Sequence, residues 1–114
     1  MKLEMAKSDN VTIITPVTRR LDASVAKPFR DEVMAQISAG QTRLLLDFSR
    51  VDFIDSSCLG TLISLLKAIN GKGEMALCAL NPNIQNMFKL TRMDRVFTLC
   101  TTQNEALAAL HGKG

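Results

Sequence analysis

Apolar positions along this chain change period several times, and each change marks an element. Val11-Thr12-Ile13-Ile14-Thr15-Pro16-Val17-Thr18 is rich in β-branched residues and reads as a strand. Pro16 cannot donate to a ladder, which predicts an edge position or a bulge there. A short strand around residues 3–5 is placed to pair with it. From Asp22 the spacing becomes helical: Val25, Phe29, Val33 and Ile37 fall four apart, with Met34 beside them, and the run ends near Gly40. Asp22 has the chemistry of an N-cap, although Pro28 fits best in a first helical turn and favours a start nearer Lys27. Residues 42–48 form a near-continuous apolar run, as a strand buried on both faces requires.

Val51-Asp52-Phe53-Ile54 is a second, shorter apolar stretch, and after Asp55 the period is again helical: Leu59, Leu62, Ile63, Leu66 and Ile69, ending at Asn70-Gly71-Lys72-Gly73. That stripe has the width of a face packed on its own sheet. Residues 75–80 form another buried strand. Asn81-Pro82 is a cap followed by proline at the first helical position, with Ile84, Met87 and Phe88 on the inner face. A last strand covers residues 96–100. Thr102-Gln103-Asn104-Glu105 is a capping box that opens a helix with Leu107 and Leu110 inward. The order β-β-α-β-α-β-α-β-α predicts a single α/β domain over residues 1–114, with a mixed sheet of about four to five strands, about four helices and parallel neighbours joined by right-handed crossovers.

The junction at Asp55-Ser56-Ser57 concentrates the candidate chemistry. A hydroxyl at a helix N-terminus lies beside unpaired amides and the positive end of the helix dipole, which would also hold a phosphate. Two readings follow from the residues alone, a phosphorylation switch or a plain helix cap.

Composition narrows the remaining classes. The 114 residues are 46% hydrophobic and 22% charged, with no Trp or Tyr and a net charge of +3. The basic residues are scattered, without the basic stripe and stacking aromatics of a nucleic-acid binder. No apolar run approaches the length of a membrane helix, and the N-terminus lacks the apolar region of a signal peptide. Cys58, Cys78 and Cys100 form no CxxC; the last two read as small buried hydrophobes, and the expected compartment is the cytoplasm. The one histidine, His111, reads as a frayed tail residue. It leaves no Ser-His-Asp or Cys-His arrangement, and zinc-ligand spacing and phosphate-binding glycine loops are missing, so no cofactor is expected. Asp52 and Asp55 form a close carboxylate pair, a arrangement that more often serves a helix dipole than catalysis.

Val51-Asp52-Phe53-Ile54-Asp55-Ser56-Ser57-Cys58-Leu59-Gly60 resembles the signature of bacterial anti-sigma factor antagonists, the STAS domain family. Leu21-Asp22 is similar to the family's Leu-Asp at the start of the first helix. Gly73-Glu74-Met75-Ala76-Leu77-Cys78 is similar to its Gly-Gly-x-apolar strand start, and the segment from Asn81 to Phe88 to its next helix. Leu90-Thr91-Arg92-Met93-Asp94 resembles the Leu-x-Gly-Leu turn before the last strand. The resemblance covers nearly the whole chain and implies the STAS fold.

The resemblance also implies a mechanism. The unmodified protein binds an anti-sigma factor that is a serine kinase of histidine-kinase-like ATPase fold; the kinase phosphorylates the serine after the aspartate, here Ser56, and the phosphoprotein lets go. A PP2C-type phosphatase reverses the change. Asp22, Asp52, Asp55, Ser57, Cys58, Leu59 and Gly60 would form the partner-binding and phosphosite environment. Some STAS domains instead act as unphosphorylated scaffolds or adaptors in regulatory or transport complexes, and that alternative stands. Two departures from the pattern matter for the site. Cys58 replaces the usual glycine; it reads either as a packing residue or as a redox sensor of lowered pKa. Thr18-Arg19-Arg20 replaces the glycine-bearing loop that lies near the motif in the family.

Overall fold

The computed structural model describes residues 1–111. Strands β1 (Leu3–Ser8), β2 (Val11–Pro16), β4 (Arg43–Asp47), β6 (Glu74–Cys78) and β7 (Thr98–Cys100) form one sheet in the order β1-β2-β4-β6-β7. β1 runs antiparallel to β2, and the other neighbours are parallel. Two very short strands, β3 (Arg20–Leu21) and β5 (Phe53–Ile54), pair in parallel as a separate ribbon. The helices are α1 (Ala23–Ser38), α2 (Ser56–Ile69), α3 (Pro82–Leu90) and α4 (Gln103–His111).

Alternation along the parallel strands divides the core into two layers. Ile14, Leu44, Leu46, Met75 and Leu77 meet the buried faces of α1, α2 and α3. Ile13, Leu45, Ala76 and Cys78 point the other way, onto Ala106 and Leu110 of α4. The apolar run of residues 42–48 is therefore buried on both faces, as expected. Phe29, Val33 and Ile37 are the buried stripe of α1, with Val25 and Met34 at its border. In α4, Leu110 is buried and Leu107 is partly buried.

Several local expectations are corrected. Pro16 is neither at a sheet edge nor at a bulge. It is the last residue of an interior strand, opposite Leu3. Lys2 accepts from the Val17 amide, so the alternating antiparallel pattern turns the Pro16 nitrogen towards the β4 side. The parallel register there ends at Ile14–Leu46, and no ladder donor is lost. The first helix starts at Ala23 and not near Lys27: Asp22 caps it through the Ser24 amide, and Pro28 falls in the second turn. Pro28 removes the amide that would meet the Ser24 carbonyl. Both residues are exposed, so water can serve that carbonyl. The last strand begins at Thr98 because a 3-10 turn at Met93–Arg95 precedes it and carries Phe97 inward onto the edge of Phe88. His111 ends α4, with Nε2 3.9 Å from Asp9 in the β1–β2 turn, and is not frayed; residues 112–114 of the expected tail lie outside the described residues.

Two backbone positions test the family-like turns. A Cβ on Gly73 would stand 1.8 Å from the Thr42 carbonyl oxygen, so only glycine lets β6 start against the end of the α1–β4 loop. Arg92 holds φ +61° where the resembling turn has glycine. A non-glycine residue there costs about 1 kcal/mol.

Candidate functional site

The site is built where two helices start side by side. β3 and β5 pair with Leu21 opposite Ile54, and each is followed at once by an aspartate and a helix. The result is that α1 and α2 begin together on one rim of the molecule. Asp55 joins them: Oδ1 accepts from the Cys58 amide in its own helix at 3.1 Å, and Oδ2 accepts from the Ala23 amide of α1 at 3.0 Å. One carboxylate thus satisfies orphan donors at both N-termini. Asp22 completes the α1 cap by accepting from both the amide and the hydroxyl of Ser24. The Ser24 hydroxyl, more than any other neighbour, holds the Asp22 carboxyl below the usual aspartate range.

Ser56 and Ser57 are the first two residues of α2, and both are exposed. Gly60 and Ser64 follow Ser56 at four-residue spacing on the same exposed face. A Cβ at Gly60 would meet nothing within 4 Å. Its glycine serves no internal contact and leaves a flat strip beside Ser56.

Cys58 and Leu59 are buried and present nothing to a partner. The Cys58 Sγ donates to the Asp22 carbonyl at 3.5 Å, a third link between the two helix starts. Burial, reinforced by Asp55 and Asp22, pushes its thiol up to about 11. The idea of a lowered pKa and a redox sensor is overturned, and the packing role holds. The expected site residues therefore separate into an exposed set (Asp52, Ser56, Ser57, Gly60), the half-buried caps Asp22 and Asp55, and the buried supports Cys58 and Leu59.

Phe53, which the sequence did not single out, and the Arg19-Arg20 loop, which it did, complete the surface. Phe53 is 39% exposed on the outer face of β5, under the Arg20 guanidinium, which lies 4.4 Å from the ring centroid. Arg19 pairs with Asp52 at 3.4 Å, and its carbonyl accepts from the Asp52 and Phe53 amides. The loop carrying Arg19 and Arg20 thus lies against the motif. A groove beside it is lined by Asp52, Phe53, Ile54, Asn83, Ile84 and Met87. Asn81 caps α3 through the Ile84 amide while donating to the Asp52 carbonyl, which ties α3 to the motif. Phe53 lies in a short apolar stretch, and a two-residue strand has too little periodicity to show which side chain turns outward.

A family description, STAS domain, matches residues 2–106. The chain belongs to the STAS domain family. BtrV of Bordetella bronchiseptica is 29% identical over 110 residues, which cover 96% of this chain and 94% of BtrV. An anti-sigma F factor antagonist of Paenibacillus polymyxa is 27% identical over 112 residues, 96% of this chain and 95% of that protein. The crystal structure of TM1081 from Thermotoga maritima superposes with a TM-score of 0.89 at 28% identity, covering 96% of this chain and 94% of that one. This STAS domain has its mixed five-stranded sheet and four helices in the expected order, with the small β3–β5 ribbon added. Among the described residues, no helix is long and apolar enough to cross a membrane.

Proposed function

We propose that this STAS protein is an anti-sigma factor antagonist switched by phosphorylation of Ser56. The observation that carries the reading is the placement of an exposed serine at the first position of α2, directly after the aspartate that caps two helices. The relative from Paenibacillus polymyxa, named for antagonism of an anti-sigma factor, supports the partner class. The unmodified rim docks on an anti-sigma factor that is also a serine kinase of histidine-kinase-like ATPase fold. A PP2C-type phosphatase restores the hydroxyl, and the cycle runs in the cytoplasm. No catalysis by this chain is invoked: Asp52 is engaged by Arg19, and Asp55 by two backbone amides.

The geometry gives the hydroxyl and the phosphate opposite effects. With a free hydroxyl, Ser56, Ser57 and Gly60 form a nearly neutral, shallow surface that a partner can cover closely. A phosphate adds roughly two negative charges there. Helix N-terminal amides tolerate it within the monomer. A partner fitted to the hydroxyl meets added bulk and charge beside Asp22 and Asp55, which costs several kcal/mol of binding.

The test is a pull-down with wild type, Ser56→Ala and Ser56→Asp, followed by titration against the anti-sigma kinase it identifies. Ser56→Ala keeps binding and Ser56→Asp loses it. Equal affinity for all three proteins would overturn the switch.

A further inference from the structure

Arg20 and Phe53 lie opposite each other in the β3–β5 ribbon. Leu21 and Ile54 point inward and are buried, so Arg20, Asp22, Phe53 and Asp55 share the outer face by alternation. Arg20 covers the Phe53 ring, and its Nε lies 3.6 Å from Asp22 Oδ2. The arginine side chain is 65% exposed, and an ion pair of that length in water holds weakly. Asp22 does not depend on it. Its other oxygen, Oδ1, accepts from the Ser24 amide and hydroxyl, and those bonds survive if Arg20 leaves.

We propose that phosphorylated Ser56 draws Arg20 away from Asp22 and Phe53, so that the guanidinium becomes an internal clamp on the phosphate. The inference rests on Ser56 being the acceptor. Ser56 lies three residues beyond Phe53, about 10 Å at the rise of a strand. An arginine reaching forward and a phosphoserine reaching back close that distance between them. The phosphate outcompetes Asp22 because it carries up to twice the charge and accepts the guanidinium fork in bidentate fashion.

The charges around Ser56 single out Arg20. Asp22 and Asp55 share its face as carboxylates, and the Cys58 thiol beneath stays neutral. Arg19 and Asp52 occupy the preceding positions of the ribbon, turn the other way by alternation, and pair with each other. On α1 the first cation in sequence, Lys27, lies in the second turn of the helix and pairs with Asp31. Among the described residues, Arg20 is thus the cation already on the acceptor's face, and its carboxylate partner keeps two other donors when it leaves. Its departure has a second effect: it uncovers Phe53 at the lip of the groove formed with Ile84 and Met87. Phosphorylation then alters the docking surface in two places, adding charge at Ser56 and removing the cationic lid from an aromatic ring.

The clamp is tested on the isolated protein, with phosphoserine installed at position 56 during translation and its ionisation followed by phosphorus NMR. In the wild type the second phosphate pKa lies about half a unit below that of Arg20→Met, the shift an exposed ion pair produces. Methionine keeps the packing on Phe53 and removes the charge. Arg19→Met matches the wild type, and the Phe53 ring resonances move with phosphate ionisation in the wild type but not in Arg20→Met. Equal pKa values in the wild type and Arg20→Met, or equal shifts in both arginine variants, would overturn the clamp. Because the phosphate is installed and not made by a kinase, that result leaves the acceptor role of Ser56 intact. Failure of the identified kinase to modify Ser56 would sink the acceptor role without touching the titration.

Discussion

Cys58 occupies the place of a glycine in the resembling motif, and its neighbours explain how a side chain is accommodated. The thiol fills the space between the starts of α1 and α2 and donates to the Asp22 carbonyl. Its small size and helical position were legible in the sequence, and they supported a packing role. The direction of its pKa was not, because that depends on burial against a second helix and on Asp55 and Asp22 together. The sign has a consequence for stability. The folded thiol titrates at about 11 against an ordinary 9.0, so the folded state holds its proton more tightly than the unfolded chain does. The stabilisation is complete below pH 9 and disappears as the pH rises towards 11. Denaturant melts of wild type and Cys58→Ala should therefore converge between those values, after a clear wild-type advantage at pH 7. Thiol reagents at pH 8 should modify half-buried Cys100 first, with Cys58 reacting only on unfolding.

At the scale of the element, α2 combines a face that was easy to read with one that was not. Of the expected stripe, Leu59, Leu62 and Ile69 are buried, whereas Ile63 and Leu66 are half-buried at its border and Leu65, which the spacing did not pick out, lies in the core. Its N-terminus was recognisable from Asp55-Ser56-Ser57, but the second bond of Asp55, to Ala23 across the rim, depends on the β3–β5 pairing. Two-residue strands carry no usable period, so neither the ribbon nor the outward turn of Phe53 was legible. Gly60 separates the needs of the fold from those of the surface. Among the described residues nothing requires its missing side chain, and glycine inside a helix costs about 0.5–1 kcal/mol relative to alanine. Gly60→Ala should raise thermal stability by about that amount. The added methyl stands one turn from Ser56, on the strip proposed to meet the kinase, and should weaken binding by about tenfold. Calorimetric melting and titration of the same variant check both effects; a stabilised protein with unchanged affinity would exclude Gly60 from the interface.

At the scale of the whole molecule, the switch stands outside the two core layers. The sheet is held by apolar contacts to α1, α2 and α3 on one side and to α4 on the other, and Ser56 contributes to neither. A charge introduced at the first position of α2 is favourable to that helix, by about 0.3–1 kcal/mol, because it meets the positive end of the dipole. Asp22 and Asp55 oppose it by like-charge repulsion, so the net change in stability is small. Ser56→Asp should therefore melt within a few degrees of the wild type, since about 0.5 kcal/mol corresponds to roughly 2–4 °C for a domain near this size. Its amide spectrum should change around residues 20–24 and 53–60 and stay the same in α4, on the far side of the sheet, and at Ala76 and Cys78, whose side chains face it. The same variant is expected to lose its partner. A large fall in melting temperature, or shifts spreading through Ala76, Cys78 and Ala106, would mean that charge at Ser56 acts by loosening the core, and binding loss could then no longer be assigned to the rim.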